Sequence, residues 1–146
     1  EVAPYERNEK VEEVQRLLKL YGYRVGKPDG ILGANTRQAL ENFQRDNGLK
    51  ETRFIDEDTW ARLHMFESSG LVAQGKINIK AVQQALSNAG FNPGAIDGKA
   101  GRKTQASLQD FQKACRLKVD GRIGFQTLKR LAEYLPADSP PRDSKK

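Results

Sequence analysis

The chain has 146 residues, 37% apolar and 30% charged, which is the balance of a globular protein; no run approaches the roughly 18 apolar residues of a membrane span, so membrane insertion is excluded as an expectation. Lys and Arg outnumber Asp and Glu by 25 to 19, a net charge of +6 that favours anionic partners, but the signs are interleaved without the dense basic stripe expected of a nucleic-acid binder. One cysteine, Cys115, and one histidine, His64, exclude an internal disulfide and a Cys- or His-rich metal site, and no metal or cofactor is expected.

Residues 1–10 show no sustained period and read as an N-terminal extension. From Val11 the apolar residues Val11, Val14, Leu17, Leu18 and Tyr21 recur at helical spacing, placing a first helix that stops at Gly22, where a left-handed cap needs a residue without a β-carbon. A turn follows at Lys27-Pro28-Asp29-Gly30, then a second helix through Ala39, Leu40 and Phe43, and a third through Thr59, Trp60 and Leu63. Glu67-Ser68-Ser69-Gly70 breaks the pattern, and residues 68–78 read as a linker. Beyond it everything returns, 68 residues on and without a gap: Val14-Gln15 as Val82-Gln83, Gly22 as Gly90, Asp29-Gly30 as Asp97-Gly98, Phe43-Gln44 as Phe111-Gln112, Thr59 as Thr127. The second set of helices runs through Ile79, Val82 and Leu86, through Leu108, Phe111 and Cys115, and through Thr127, Leu128 and Leu131. Residues 136–146, with three prolines among polar and charged residues, read as a flexible tail. The expected architecture is all-α: two tandem compact three-helix domains, 11–67 and 79–135, joined by a short linker.

The strictest repeated element is Asp-Gly-x-x-Gly-x-x-Thr. It occurs as Asp29-Gly30, Gly33 and Thr36, again as Asp97-Gly98, Gly101 and Thr104, and a third time as Asp120-Gly121, Gly124 and Thr127 ahead of the last helix. Each builds a helix entrance: the acid bonds amides of its own turn, the first glycine takes a positive φ, the second sits at the N-cap, and the threonine bonds back to the loop. The same geometry leaves amides at a positive helix end, a seat for a carboxylate or phosphate, and the two readings are compatible.

These spaced elements, with Val-Gln, Gly-Tyr or Gly-Phe, Phe-Gln and Leu117-x-Val119-Asp120-Gly121-x-Ile123-Gly124-x-x-Thr127-Leu128, resemble the type 1 peptidoglycan-binding domain family over about residues 11–66 and 79–135. The resemblance implies a compact three-helix anchor, appended to cell-wall hydrolases, that holds them on peptidoglycan. It also implies an extracytoplasmic setting (periplasm, cell envelope or secreted), any signal segment lying outside these residues, with the glycan and stem peptide as partner and a hydrolase as a further one. Candidate ligand contacts are Asp29, Gly30, Gly33, Asn35, Thr36 and Arg37 with Tyr23 in the first repeat, and Asp97, Gly98, Gly101, Arg102, Lys103 and Thr104 with Phe91 in the second. The basic side chains supply charge, and Tyr23 and Phe91 either offer a flat apolar surface or pack under the loop.

No catalytic constellation accompanies the motif. Cys115 and His64 lie in different repeats, and Cys115 falls in step with Phe111 on an apolar face, where a thiol is inert. The chain is therefore expected to bind and not to catalyse, with a protein-interaction domain of the same fold, or the targeting fragment of a larger hydrolase, as alternatives. The repeats also differ. The first has Thr52-Arg53 in place of Asp120-Gly121 and Asp56 in place of Gly124, where it is expected to cap the third helix; the second has Arg116 in place of Gly48. The second thus keeps the fuller family pattern, and the tandem reads as a principal binder with a divergent companion.

Overall fold

The computed structural model describes residues 8–135, so the tail at 136–146 and all but the last residues of the N-terminal extension lie outside the described residues. The chain divides into two compact units, one ending at Met65 and the other starting at Phe66. The first holds α1 (Glu9–Leu20), α2 (Ala34–Asp46) and α3 (Glu57–Leu63). The second holds β1 (Val72–Ala73), β2 (Lys76–Ile77), α4 (Ile79–Asn88), α5 (Arg102–Ala114) and α6 (Phe125–Ala132). The mostly helical architecture agrees with the all-α expectation.

In the first unit α1 packs on both α2 and α3. It begins at Glu9 because Asn8 caps it, the side-chain oxygen accepting the N–H groups of Lys10 and Val11. Val11, Val14, Leu17 and Leu18 line the buried stripe, facing Leu40 and Phe43 of α2 and Leu63 of α3 in one core, and the Tyr21 hydroxyl donates to the Leu63 carbonyl. The helix ends in a Schellman turn: Tyr23 N–H bonds Leu18 O and Gly22 N–H bonds Lys19 O, with Gly22 at φ +98° as its role required. Tyr23 then falls edge-on against Phe43 at 5.6 Å.

The second unit repeats the plan. α4 packs on α5 and α6 around Val82, Leu86, Leu108, Phe111, Leu128 and Leu131. Phe91 N–H closes the turn at Gly90 onto Leu86 O, and the Phe91 ring stands edge-on to Phe111 at 5.6 Å. Two features exceed the sequence reading. The segment 68–78 carries a two-stranded antiparallel hairpin pairing Val72 with Ile77 and Ala73 with Lys76, turned at Gln74 and Gly75, both at positive φ. Such a two-residue turn follows strand twist, but Gln-Gly signals it less strongly than Asn-Gly. Phe66, read with the first repeat, has its ring 5.1 Å from Phe125 and is buried in the second unit with Leu71 and Val72. Cys115 is the C-cap of α5 and only half-buried, less enclosed than its helical phase suggested.

Candidate functional site

Four buried glutamines organise the loops that carry the candidate residues. Gln15 of α1 donates through Nε2 to Asp29 Oδ1 (3.1 Å), the Ile31 carbonyl (3.0 Å) and Thr36 Oγ1 (2.8 Å), while its Oε1 accepts the Gly30 N–H (2.8 Å). Gln83 of α4 does the same with Asp97, Lys99, Thr104 and Gly98, and Gln112 of α5 with Asp120, Arg122, Thr127 and Gly121. Gln44 of α2 completes the set with Thr52, Phe54, Thr59 and Arg53. One amide side chain thus clamps a turn and the first turn of the next helix by satisfying polar groups that burial would otherwise leave unpaired.

The device recognised three times in the sequence therefore occurs four times. At the rewritten entrance Thr52 Oγ1 accepts the Phe54 N–H as an aspartate would, and Arg53 takes φ +66° where its counterparts Gly30, Gly98 and Gly121 lie at +78°, +81° and +69°. Asp56 caps α3 as expected, Oδ1 accepting the Thr59 N–H at 3.0 Å and its hydroxyl at 2.6 Å. The glutamines were visible as repeated Val-Gln and Phe-Gln pairs. A polar residue on an apolar stripe was the signal that they act in the core.

Electrostatics follows these hydrogen bonds. The Lys99 N–H first, and then the Gln83 amide, hold the Asp97 carboxyl below the ordinary range. The Arg122 N–H does the same for Asp120, with Gln112 assisting against a partial desolvation effect. At Asp56 partial burial pushes the carboxyl up, but the hydrogen bonds from Thr59 and Thr52 together outweigh it and the net shift is downward. Burial, followed by the hydrogen bond to Asp46 and its charge, raises the Tyr23 phenol, which stays protonated as the 2.6 Å donor to Asp46 Oδ2.

In the first unit the loop stands away from the head of α2 and leaves a cleft of about 610 Å³ lined by Lys19, Tyr23, Arg24, Val25, Gly26 and Asn35. The cleft is open to solvent, and its lining has two cations and no acid. A smaller cavity of about 190 Å³ adjoins it through Val25, Gly26 and Asn35 and is bordered by Asp29, Gly33 and Thr36.

Of the residues expected from the sequence, Tyr23 and Asn35 line the larger cleft, and Asp29, Gly33, Asn35 and Thr36 border the smaller one. Gly30 is buried with its N–H held by Gln15, Thr36 is buried with its oxygen accepting from Gln15, and Arg37 turns to the loop, donating to the Leu32 carbonyl at 2.8 Å. In the second unit Asp97, Gly98 and Thr104 are likewise engaged by Gln83, and Thr104 also donates to the Pro93 carbonyl. Gly101, Arg102 and Lys103 are exposed at the head of α5, and Phe91 is half-buried against Phe111. Lys19, Arg24, Val25 and Gly26 were not among the residues picked from the sequence. They flank the capping turn without belonging to the repeated motif, so only the folded loop shows that they share a wall.

Two three-helix units with clamped helix entrances define a class of small helical domain, and comparison with known proteins gives the family. The chain belongs to the family described as "Putative peptidoglycan binding domain", which matches residues 7–63 and 76–131, one copy per unit. Among curated proteins it is similar to the localization factor PodJL of Caulobacter vibrioides, 36% identical over 64 residues, which is 44% of this chain and 7% of that protein. It is also similar to the N-acetylmuramoyl-L-alanine amidase CwlM of Mycobacterium tuberculosis, 27% identical over 111 residues, which is 69% of this chain and 27% of that protein. The chain thus spans a small part of the relatives it matches. No solved structure matches it. Among the described residues no helix is long and apolar enough to cross a membrane.

Proposed function

We propose that this chain is a non-catalytic tandem module that attaches to bacterial peptidoglycan in the cell envelope, anchoring or targeting whatever it is joined to. The observation that carries the reading is the twice-matched peptidoglycan-binding family, and an open cleft in the first unit that takes in Tyr23 and Asn35 supports it. Lys19 and Arg24 meet the carboxylates of a stem peptide there, Tyr23 offers the face of its ring, and Asn35 hydrogen-bonds amide or sugar groups. The contacts are charge-assisted and solvent-accessible, so binding weakens as salt is raised. Co-sedimentation with purified sacculi tests the reading: the chain pellets at low ionic strength, and failure to do so refutes it. The localization-factor similarity favours a second reading, a protein-interaction domain of the same fold. Full competition for the cleft by a soluble protein, with no uptake by sacculi, is the result that selects it.

A further inference from the structure

The two copies differ at the one place where the cleft lies. Shifted by 68 residues, Lys19, Arg24, Gly26 and Asn35 of the first unit correspond to Ser87, Asn92, Gly94 and Lys103 of the second. In the first unit a β-carbon built on Gly26 meets nothing within 4 Å, so the cleft floor is open. In the second a β-carbon built on Gly94 falls 3.1 Å from Lys103 Cβ and 3.3 Å from its Cδ: the loop lies against the first turn of α5, its nearest neighbour being an atom that every residue but glycine carries, with the lysine stem beside it. Gly94, at φ +85°, supplies the bare backbone that this close approach requires. Around this contact the loop is drawn in further, Asn92 Oδ1 accepting the Gly94 N–H at 3.0 Å and the Pro93 carbonyl accepting the Thr104 hydroxyl at 2.9 Å. The two cleft cations have no basic counterpart in the second copy, where Ser87 and Asn92 stand.

We propose that the ligand-competent copy is the first one: its floor at Gly26 is open and its wall carries Lys19 and Arg24, whereas in the second copy the loop at Gly94 lies against the head of α5 and the wall carries Ser87 and Asn92. This rests on the reading of the chain as a peptidoglycan binder and reverses the ranking that motif completeness suggests: the second copy retains the fuller pattern because that pattern builds the fold, while the first retains the open floor. The ligand part concerned is an anionic stem-peptide segment, matched by Lys19 and Arg24.

The test exchanges wall charges in the full chain. Lys19→Ser with Arg24→Asn gives the first unit the uncharged wall of the second, and Ser87→Lys gives the second unit a cation while its floor stays covered; all three positions are exposed, and circular dichroism checks that each variant is folded. Binding is followed by amide chemical shifts on titration with a soluble disaccharide–peptide fragment released from sacculi by a muramidase. In the native chain the amides of Tyr23, Arg24, Gly26 and Asn35 shift and those of Phe91, Gly94 and Lys103 do not. Lys19→Ser with Arg24→Asn weakens binding about tenfold, about 1.4 kcal/mol, and Ser87→Lys leaves the second set unresponsive. The second variant separates steric cover from charge. General attraction of an anion predicts that Ser87→Lys tightens binding and draws the second set into the response, opposite to this expectation. Native binding that maps to the second unit, a Lys19→Ser/Arg24→Asn chain that binds unchanged, or a Ser87→Lys chain whose second set responds, overturns this inference and leaves peptidoglycan binding standing. No shift anywhere, together with no uptake by sacculi, overturns both.

Discussion

Replacing Gln15 with leucine removes one clamp at nearly constant volume and provides the sharpest test of how the loops are held. Four hydrogen bonds of 2.8–3.1 Å disappear, and two of the groups stranded are themselves buried, the Gly30 N–H and the Thr36 hydroxyl, the latter on a side chain only 3% exposed. Each buried polar group left without a partner costs about 1–3 kcal/mol, and the added apolar contacts of leucine return part of that, so the net loss is about 2–4 kcal/mol. A three-helix unit of this size has a total stability of roughly 3–8 kcal/mol, which places the variant near the edge of folding. The single tryptophan, Trp60, sits in α3 of the first unit and makes the effect local to read. Urea unfolding followed by Trp60 fluorescence shifts to lower denaturant by about 2 M or more at a slope of about 1 kcal/mol/M. Gln83→Leu removes the matching clamp of the second unit, and its loss of stability is followed by far-ultraviolet dichroism. A Gln15→Leu chain whose Trp60 midpoint corresponds to a loss below about 0.5 kcal/mol would refute the argument that these glutamines hold the loops.

Three further outcomes follow from the same geometry. Arg116 occupies the left-handed capping position at φ +61°, so Arg116→Gly stabilises the second unit by about 1 kcal/mol, read as a rise of about 4–8 °C in its thermal midpoint. Gly33 and Gly101 cap α2 and α5 with backbone angles matching those of Asp56, and a β-carbon at either meets nothing within 4 Å. Gly33→Asp therefore raises stability by about 1 kcal/mol in denaturant unfolding while its new charge lowers uptake by sacculi, a split that neither gain nor loss of folding alone would produce. Asp56, Asp97 and Asp120 have carboxyls held below their unfolded values, so the unfolded chain binds more protons as acidity rises; their stabilisation is complete above about pH 5 and is lost as pH falls through the unfolded and then the lower folded values. Urea midpoints measured from pH 6 downward decline below that point, and the decline is shallower in the triple Asp→Asn chain.

Local chemistry carried much of this molecule in plain view. The stripe from Val11 to Tyr21 and the capping glycines Gly22 and Gly90 state helix length and stop, because a helix reads its own sequence at a spacing of three and four residues. The gapless return of these features after 68 residues stated that the fold is made twice, and the Asp-Gly-x-x-Gly-x-x-Thr spacing stated how each second helix begins. Tertiary structure decided what those signals are for. Gln15 meets partners 14 to 21 residues away, a distance no local period reports, so its role in the clamp depended on α1, the loop and α2 being assembled. Phe66 joined the second unit because Phe125 was there to receive it, and Gln74-Gly75 became a hairpin turn because Val72 and Ile77 found each other. The cleft is the clearest case. A cavity is a place that the chain fails to fill, and whether Gly26 or Gly94 is left bare depends on how closely each loop lies against the head of the next helix, which sequence spacing does not encode.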